Sequence, residues 1–86
     1  MKKYYYRESQ KVRGDMIPLK MNIEISVYRQ RQDGHFVWIG SAYRNTASYK
    51  GDGATAAEVL HEKKGHKMSK DGYSLASKNI ELIRLP

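Results

Sequence analysis

Between residues 21 and 44 the chain carries two β-type alternations separated by Asp33-Gly34, and this pattern most narrows what it can fold into. Met21, Ile23, Ile25 and Val27 alternate with Asn22, Glu24, Ser26 and Tyr28. A period of two puts the apolar set on one face of a half-buried strand, expected over about residues 19–31. Asp-Gly is a favoured pair for a two-residue type I′ hairpin loop. His35 to Arg44 (HFVWIGSAYR) then reads as the returning strand.

With Asp33 and Gly34 as the loop, Gln32 faces His35, which fixes every other pair. One face then carries Ile23, Ile25, Val27, Arg29, Arg31, Phe36, Trp38, Gly40, Ala42 and Arg44. It is the expected core face, with Arg29 opposite Trp38 as a cation–π pair at the rim. The opposite face carries Glu24, Ser26, Tyr28, Gln30, Val37, Ile39, Ser41 and Tyr43.

The rest of the chain is less explicit. KYYYRE at residues 3–8 has high β propensity and reads as a short edge strand. Residues 9–17 are polar and read as a mobile loop, so residues 1–17 are expected as edge strand plus loop. TASYK at residues 46–50 is a candidate short third strand of the hairpin sheet. Thr55-Ala56-Ala57-Glu58 has the form of a capping box, which predicts a helix over about residues 55–64 closed by Gly65. Asp71-Gly72 is a second turn signal. NIELIRL at residues 79–85 is dense in Ile and Leu, as expected of a strand near the middle of a sheet. The expected fold is α+β, a mostly antiparallel sheet of four to five strands with one short helix packed on one face.

Eighty-six residues suffice for a single small domain. Cysteine is absent, so neither a disulfide nor a thiolate metal site can form. No apolar run follows Lys2 and Lys3, and no stretch approaches the roughly 18 apolar residues of a membrane span. The expectation is a cytoplasmic protein with no membrane partner. The net charge is +7, and residues 1–50 hold ten Lys/Arg against four Asp/Glu. Such a field draws in nucleic acid and acidic proteins alike.

Asn22 to Leu60 resembles the HicB-type antitoxin domain. The matching residues are Asp33-Gly34, His35-Phe36-Val37-Trp38 and Gly53-Ala54-Thr55-Ala56-Ala57-Glu58-Val59-Leu60, about half the chain. The Pro-containing loop usual after that family's second strand is absent, and no DNA-binding module follows. The resemblance implies a topology of strands leading into a helix; it implies no function.

Four tyrosines are followed by a basic residue: Tyr6-Arg7, Tyr28-Arg29, Tyr43-Arg44 and Tyr49-Lys50. Aromatic faces beside fixed cations suit stacked, polyanionic partners. They equally suit a basic sheet rimmed with tyrosine. One short helix can cover one sheet face only, which leaves Tyr28, Val37, Ile39 and Tyr43 as an uncovered stripe unless residues 1–20 fold over it. The candidate binding residues are therefore Tyr28, Arg29, Arg31, Val37, Ile39, Tyr43 and Arg44. Tyr28 and Tyr43 are the stacking groups, and Arg29, Arg31 and Arg44 the phosphate contacts. The expected partner is nucleic acid or a nucleoprotein. The other class of reading is a small inhibitor of an acidic protein partner, antitoxin-like or a phage-encoded anti-defence factor such as an anti-CRISPR. It would act through the exposed face, an edge or a homodimer.

No catalytic residues, metal ligands or cofactors are expected. His35, His61 and His66 lack a zinc-ligand spacing, and Gly51-Asp52-Gly53 lacks the Gly-Lys-Ser/Thr of a nucleotide loop. Arg13-Gly14-Asp15 matches an adhesion tripeptide that recurs by chance. Asp33, Asp71 and Glu58 are accounted for by turns and a cap.

Overall fold

The structure is a computed structural model that describes residues 1–12, 21–45, 47 and 49–86. The elements are β1 (Lys2–Val12), β2 (Met21–Gln30), β3 (Phe36–Asn45), α1 (Asp52–Lys64) and β4 (Ile80–Arg84). They form an α+β fold built on one four-stranded sheet in the order β3-β2-β1-β4. β1–β2 and β2–β3 are antiparallel, and β4 runs parallel to β1, so the sheet is mixed.

The opening strand is longer and more central than its composition indicates. Residues 3–8 were expected at an edge, yet β1 pairs with β2 on one side and β4 on the other. Residues 9–12, expected in a loop, continue β1 opposite β2. The reason is that β4 returns from α1 to the far side of β1, where the helix cover makes the crossover. β4 in turn takes the edge rather than the middle. The proposed third strand at residues 46–50 is not formed at Tyr49 and Lys50, while Thr46 and Ser48 lie outside the described residues.

The hairpin register explains how the two faces are composed. Ile23↔Arg44, Ile25↔Ala42 and Val27↔Gly40 pair as the sequence pattern requires. Beyond Val27 the ladder slips by one, to Tyr28↔Trp38, Arg29↔Val37 and Gln30↔Phe36. Two local causes act together. The loop has three residues rather than two: Gly34 N–H donates to Arg31 O at 3.0 Å and Arg31 N–H to His35 O at 2.8 Å, with Gly34 at φ 93. That is a turn closed by a glycine at positive φ, which Asp-Gly also favours. Ile39 is the extra residue on β3 between Trp38 and Gly40, a β-bulge that restores the outer register.

The core lies between the sheet and α1. Ile25, Val27, Ala56 and Leu60 are completely buried, with Tyr4, Val59, Ile23 and Ala42 beside them. The helix lies close against β3 at Gly40, where an added Cβ would sit 3.0 Å from Lys63 Cγ and 3.4 Å from Val59 Cγ1. Glycine there lets the helix approach the sheet. Ile39, Tyr6, Leu75, Ile80 and Leu82 pack around this core.

The helix starts one turn earlier than the capping-box pattern implies. Gly51 is the N-cap and makes no side-chain cap bond, while Thr55 is buried and its hydroxyl donates to Gly51 O at 2.9 Å. Glu58, the other half of the expected box, instead accepts from Arg44 at 2.7 Å. The C-terminus is as expected: Gly65 takes φ 73 and its N–H reaches His61 O. Asp71-Gly72 is a turn, with Gly72 at φ 74 and the Asp71 carboxylate accepting from Tyr73 N–H at 2.8 Å.

A charged cluster ties β1, α1 and β4 together. Arg84 donates to Asp52 at 2.5 Å and lies 3.5 Å from Glu8. Burial and then the neighbouring Glu8 carboxyl push the pKa of Asp52 up to about 6, and Arg84 offsets them only in part.

Candidate functional site

The face of the sheet away from α1 carries the chain's largest group of accessible rings. Alternation from the buried Ile25 and Val27 places Tyr28 on it, and pairing carries Tyr5 of β1 to the same face. The register slip adds Trp38 and Phe36 of β3. Tyr43 lies further along β3, opposite Glu24. Trp38 is 61% exposed, Tyr43 55% and Phe36 44%.

The rings form a partly organised platform. Phe36 stands edge-on between Tyr5, at 5.1 Å between centroids, and Tyr28, at 6.4 Å. Edge-to-face packing of this kind fixes the rings relative to one another and leaves flat surface to a ligand. Trp38 Nε1–H donates to Ser41 Oγ at 3.0 Å, and Ser41 Oγ pairs with Ser26 Oγ at 2.7 Å, which restrains the indole on the sheet. Arg7 and Lys3 share this face through their pairing with Ser26 and Glu81. Glu24, bonded to Ser9 at 3.0 Å, also lies on it.

The seven residues singled out from sequence do not all meet here. Tyr28 and Tyr43 lie on the outer face as expected. Val37 and Ile39 do not: the slip turns Val37 to the helix side opposite Arg29, and Ile39 packs against the core. Phe36 and Trp38, expected in the core, take their place on the outer face. The expected Arg29–Trp38 pairing is absent for the same reason, since Trp38 faces Tyr28. Arg29 is exposed on the helix side at the end of β2, and Arg31 sits in the hairpin turn, 2.8 Å from Asp33. Arg44 is held on the helix side by Glu58.

The Tyr-basic dyads thus separate in space. Neighbours in a strand point to opposite faces, so Tyr43 faces outward while Arg44 reaches the helix. Lys50 instead lies 5.5 Å from the ring of Tyr73. Sequence reading missed Trp38, Phe36 and Tyr5. Tyr5 follows from the run of three tyrosines once β1 is recognised as a full strand, whereas the other two depend on the bulge.

The possibility that residues 1–20 cover the outer face is excluded for residues 2–12, which are a strand of the sheet itself. Residues 13–20, with Arg13-Gly14-Asp15 and Lys20, lie outside the described residues. Among the described residues no group of three or more His, Cys, Asp or Glu is placed to hold a metal ion. No helix among them is long and apolar enough to cross a membrane. No protein-family model matches the chain, and no curated protein or solved structure is significantly similar to it.

Proposed function

We propose that the protein is a small non-enzymatic binding module of the cytoplasm that engages single-stranded nucleic acid, free or within a nucleoprotein, on the outer face of its sheet. The observation that carries this reading is the cluster of Tyr5, Tyr28, Phe36, Trp38 and Tyr43 on one face, which no other described element covers, of a protein with a net charge of +7. Every base has a flat π-face, and stacking on an aromatic side chain contributes about 1–3 kcal/mol per base without demanding a sequence. Trp38 and Phe36 are adjacent outward positions of β3, about 7 Å apart along an extended strand. That spacing suits two successive unstacked bases. Lys3 and Arg7 on the same face, with Arg29 near the end of β2 and Arg31 in the hairpin turn, supply charge for the phosphates. Arg44 is assigned a different role: it pins α1 to β3 through Glu58.

Trp38 is the chain's sole tryptophan, so its fluorescence reports directly on this face. Titration with mixed-sequence single-stranded DNA and RNA at low salt is expected to quench it. The affinity should fall steeply with salt, with a log–log slope of about 0.7 per phosphate neutralised. Unchanged fluorescence together with no mobility shift at 50 mM salt rules the reading out.

A second reading is favoured by a separate observation. Among the described residues β3 is an edge strand of ten residues bearing Phe36, Trp38 and Tyr43, with no strand paired on its outer side. A protein partner that extends the sheet, or a second copy of the chain, would find both backbone pairing and rings there, which suits an inhibitor. Such a complex should be nearly insensitive to salt, unlike one held by phosphates.

A further inference from the structure

The end of the sheet where β1 begins and β2 ends opens into a cleft of about 560 Å³. Lys2, Lys3, Arg29, Lys64 and His66 line it, and its described lining contains no carboxylate. Four of these side chains are fixed cations, and three separate parts of the chain bring them together. β1 contributes Lys2 and Lys3, β2 contributes Arg29, and the last turn of α1 contributes Lys64.

The walls of the cleft are held in place. Tyr4 is 2% exposed, and its hydroxyl lies 3.2 Å from His66 Nε2. The two rings meet edge-on at 5.7 Å. Lys2 Nζ lies 5.7 Å from the centre of the Tyr4 ring, and Lys2 N–H donates to Asn79 O at 2.9 Å. Tyr5 lines the cleft and also touches Phe36 of the outer face, so the cleft opens onto the aromatic platform. Gln30, on the outer face at the same end, adds an amide able to donate and accept.

Four fixed cations without a lining acid repel one another, and this arrangement is relieved by a bound anion. The volume lies within the roughly 300–1,000 Å³ of small-ligand sites and accommodates a nucleotide. We propose that this cleft is the phosphate-binding site for a nucleotide of the strand that stacks on the outer face. The phosphate lies among Lys2, Arg29 and Lys64, and the base lies on the Tyr5 side. The proposal rests on the nucleic-acid reading and gives the strand a direction of travel, from Trp38 across Phe36 and Tyr5 to the end of the sheet.

Two readouts separate this proposal from the reading beneath it. Trp38 fluorescence reports on the platform, and the NMR shifts of the His66 imidazole report on the cleft. A dT10 oligonucleotide is expected to move both. Nucleoside monophosphate alone should move His66 at higher concentration, and inorganic phosphate should do so more weakly. The exposed pair Arg29→Gln with Lys64→Gln should make the salt slope shallower by roughly 0.7 per lost contact and weaken all sequences together. Lys67→Gln with Lys78→Gln, outside the cleft, should leave the slope as it is. Quenching of Trp38 with His66 unmoved and the slope of the Arg29/Lys64 variant unchanged overturns the cleft and leaves the platform standing. A shift at His66 with Trp38 silent shows anion binding in the cleft alone, and overturns both the platform and the strand proposed to run from it into the cleft. Silence of both probes overturns the two together.

Discussion

Trp38 and Asp52 show how a single side chain's surroundings set what can be asked of it. Trp38 is 61% exposed and keeps one hydrogen bond, to Ser41. Its replacement by Ala should cost about 1 kcal/mol or less of stability, because it removes a surface cross-strand contact and leaves no cavity. If the outer face stacks bases, the same change should cost about 1–3 kcal/mol of binding, so the ratio of the two losses is diagnostic. Asp52 behaves in the opposite way. Its pKa in the folded protein is about 6, above the ordinary value of 3.8. The folded state therefore keeps a proton that the unfolded chain releases, so Asp52's own contribution to stability is fully present below about pH 4 and is lost as pH rises through about 6. Asp52→Asn, which imitates the protonated form, should flatten that decline. Thermal unfolding of both proteins from pH 3.5 to 7 checks it, and parallel curves would show that the carboxyl does not hold the proton.

The elements differ in how plainly they are written in the chain. β2 was legible because buried Ile23, Ile25 and Val27 alternate strictly with polar neighbours. The existence of β3 was equally legible, but its composition by face was not. Phe36, Val37, Trp38 and Ile39 are all apolar, so the pattern gives no phase, and the phase depends on a three-residue loop and a bulge at Ile39. The start of α1 was misplaced because Thr55 looks like a cap, whereas its hydroxyl turns back to Gly51 inside the first turn. Gly65 was legible because a left-handed residue after Lys63-Lys64 calls for glycine. Nothing lies within 4 Å of a Cβ built there, so Gly65→Ala tests backbone strain alone. It should cost about 1 kcal/mol, read as a lower midpoint in urea with the same slope.

For the molecule as a whole, the decisive arrangement is the sheet order β3-β2-β1-β4. No local pattern announces it, because KYYYRE and NIELIRL are both good strands and composition does not say which lies inside. Burial of Tyr4 against the helix and pairing on both sides make β1 the central support. Removal of residues 1–8 should therefore abolish cooperative unfolding, where loss of an edge strand would only lower its midpoint. Circular dichroism during a thermal ramp distinguishes the two. The placement of β1 also bears on how the protein is made. Lys2 finds its neighbour at Ile80, so β1 stays paired on one side only until the chain as far as β4 has been translated. Such distant pairing slows folding and leaves a tyrosine-rich strand open to wrong partners meanwhile, so brisk synthesis in a crowded cell should reward a chaperone that shields β1.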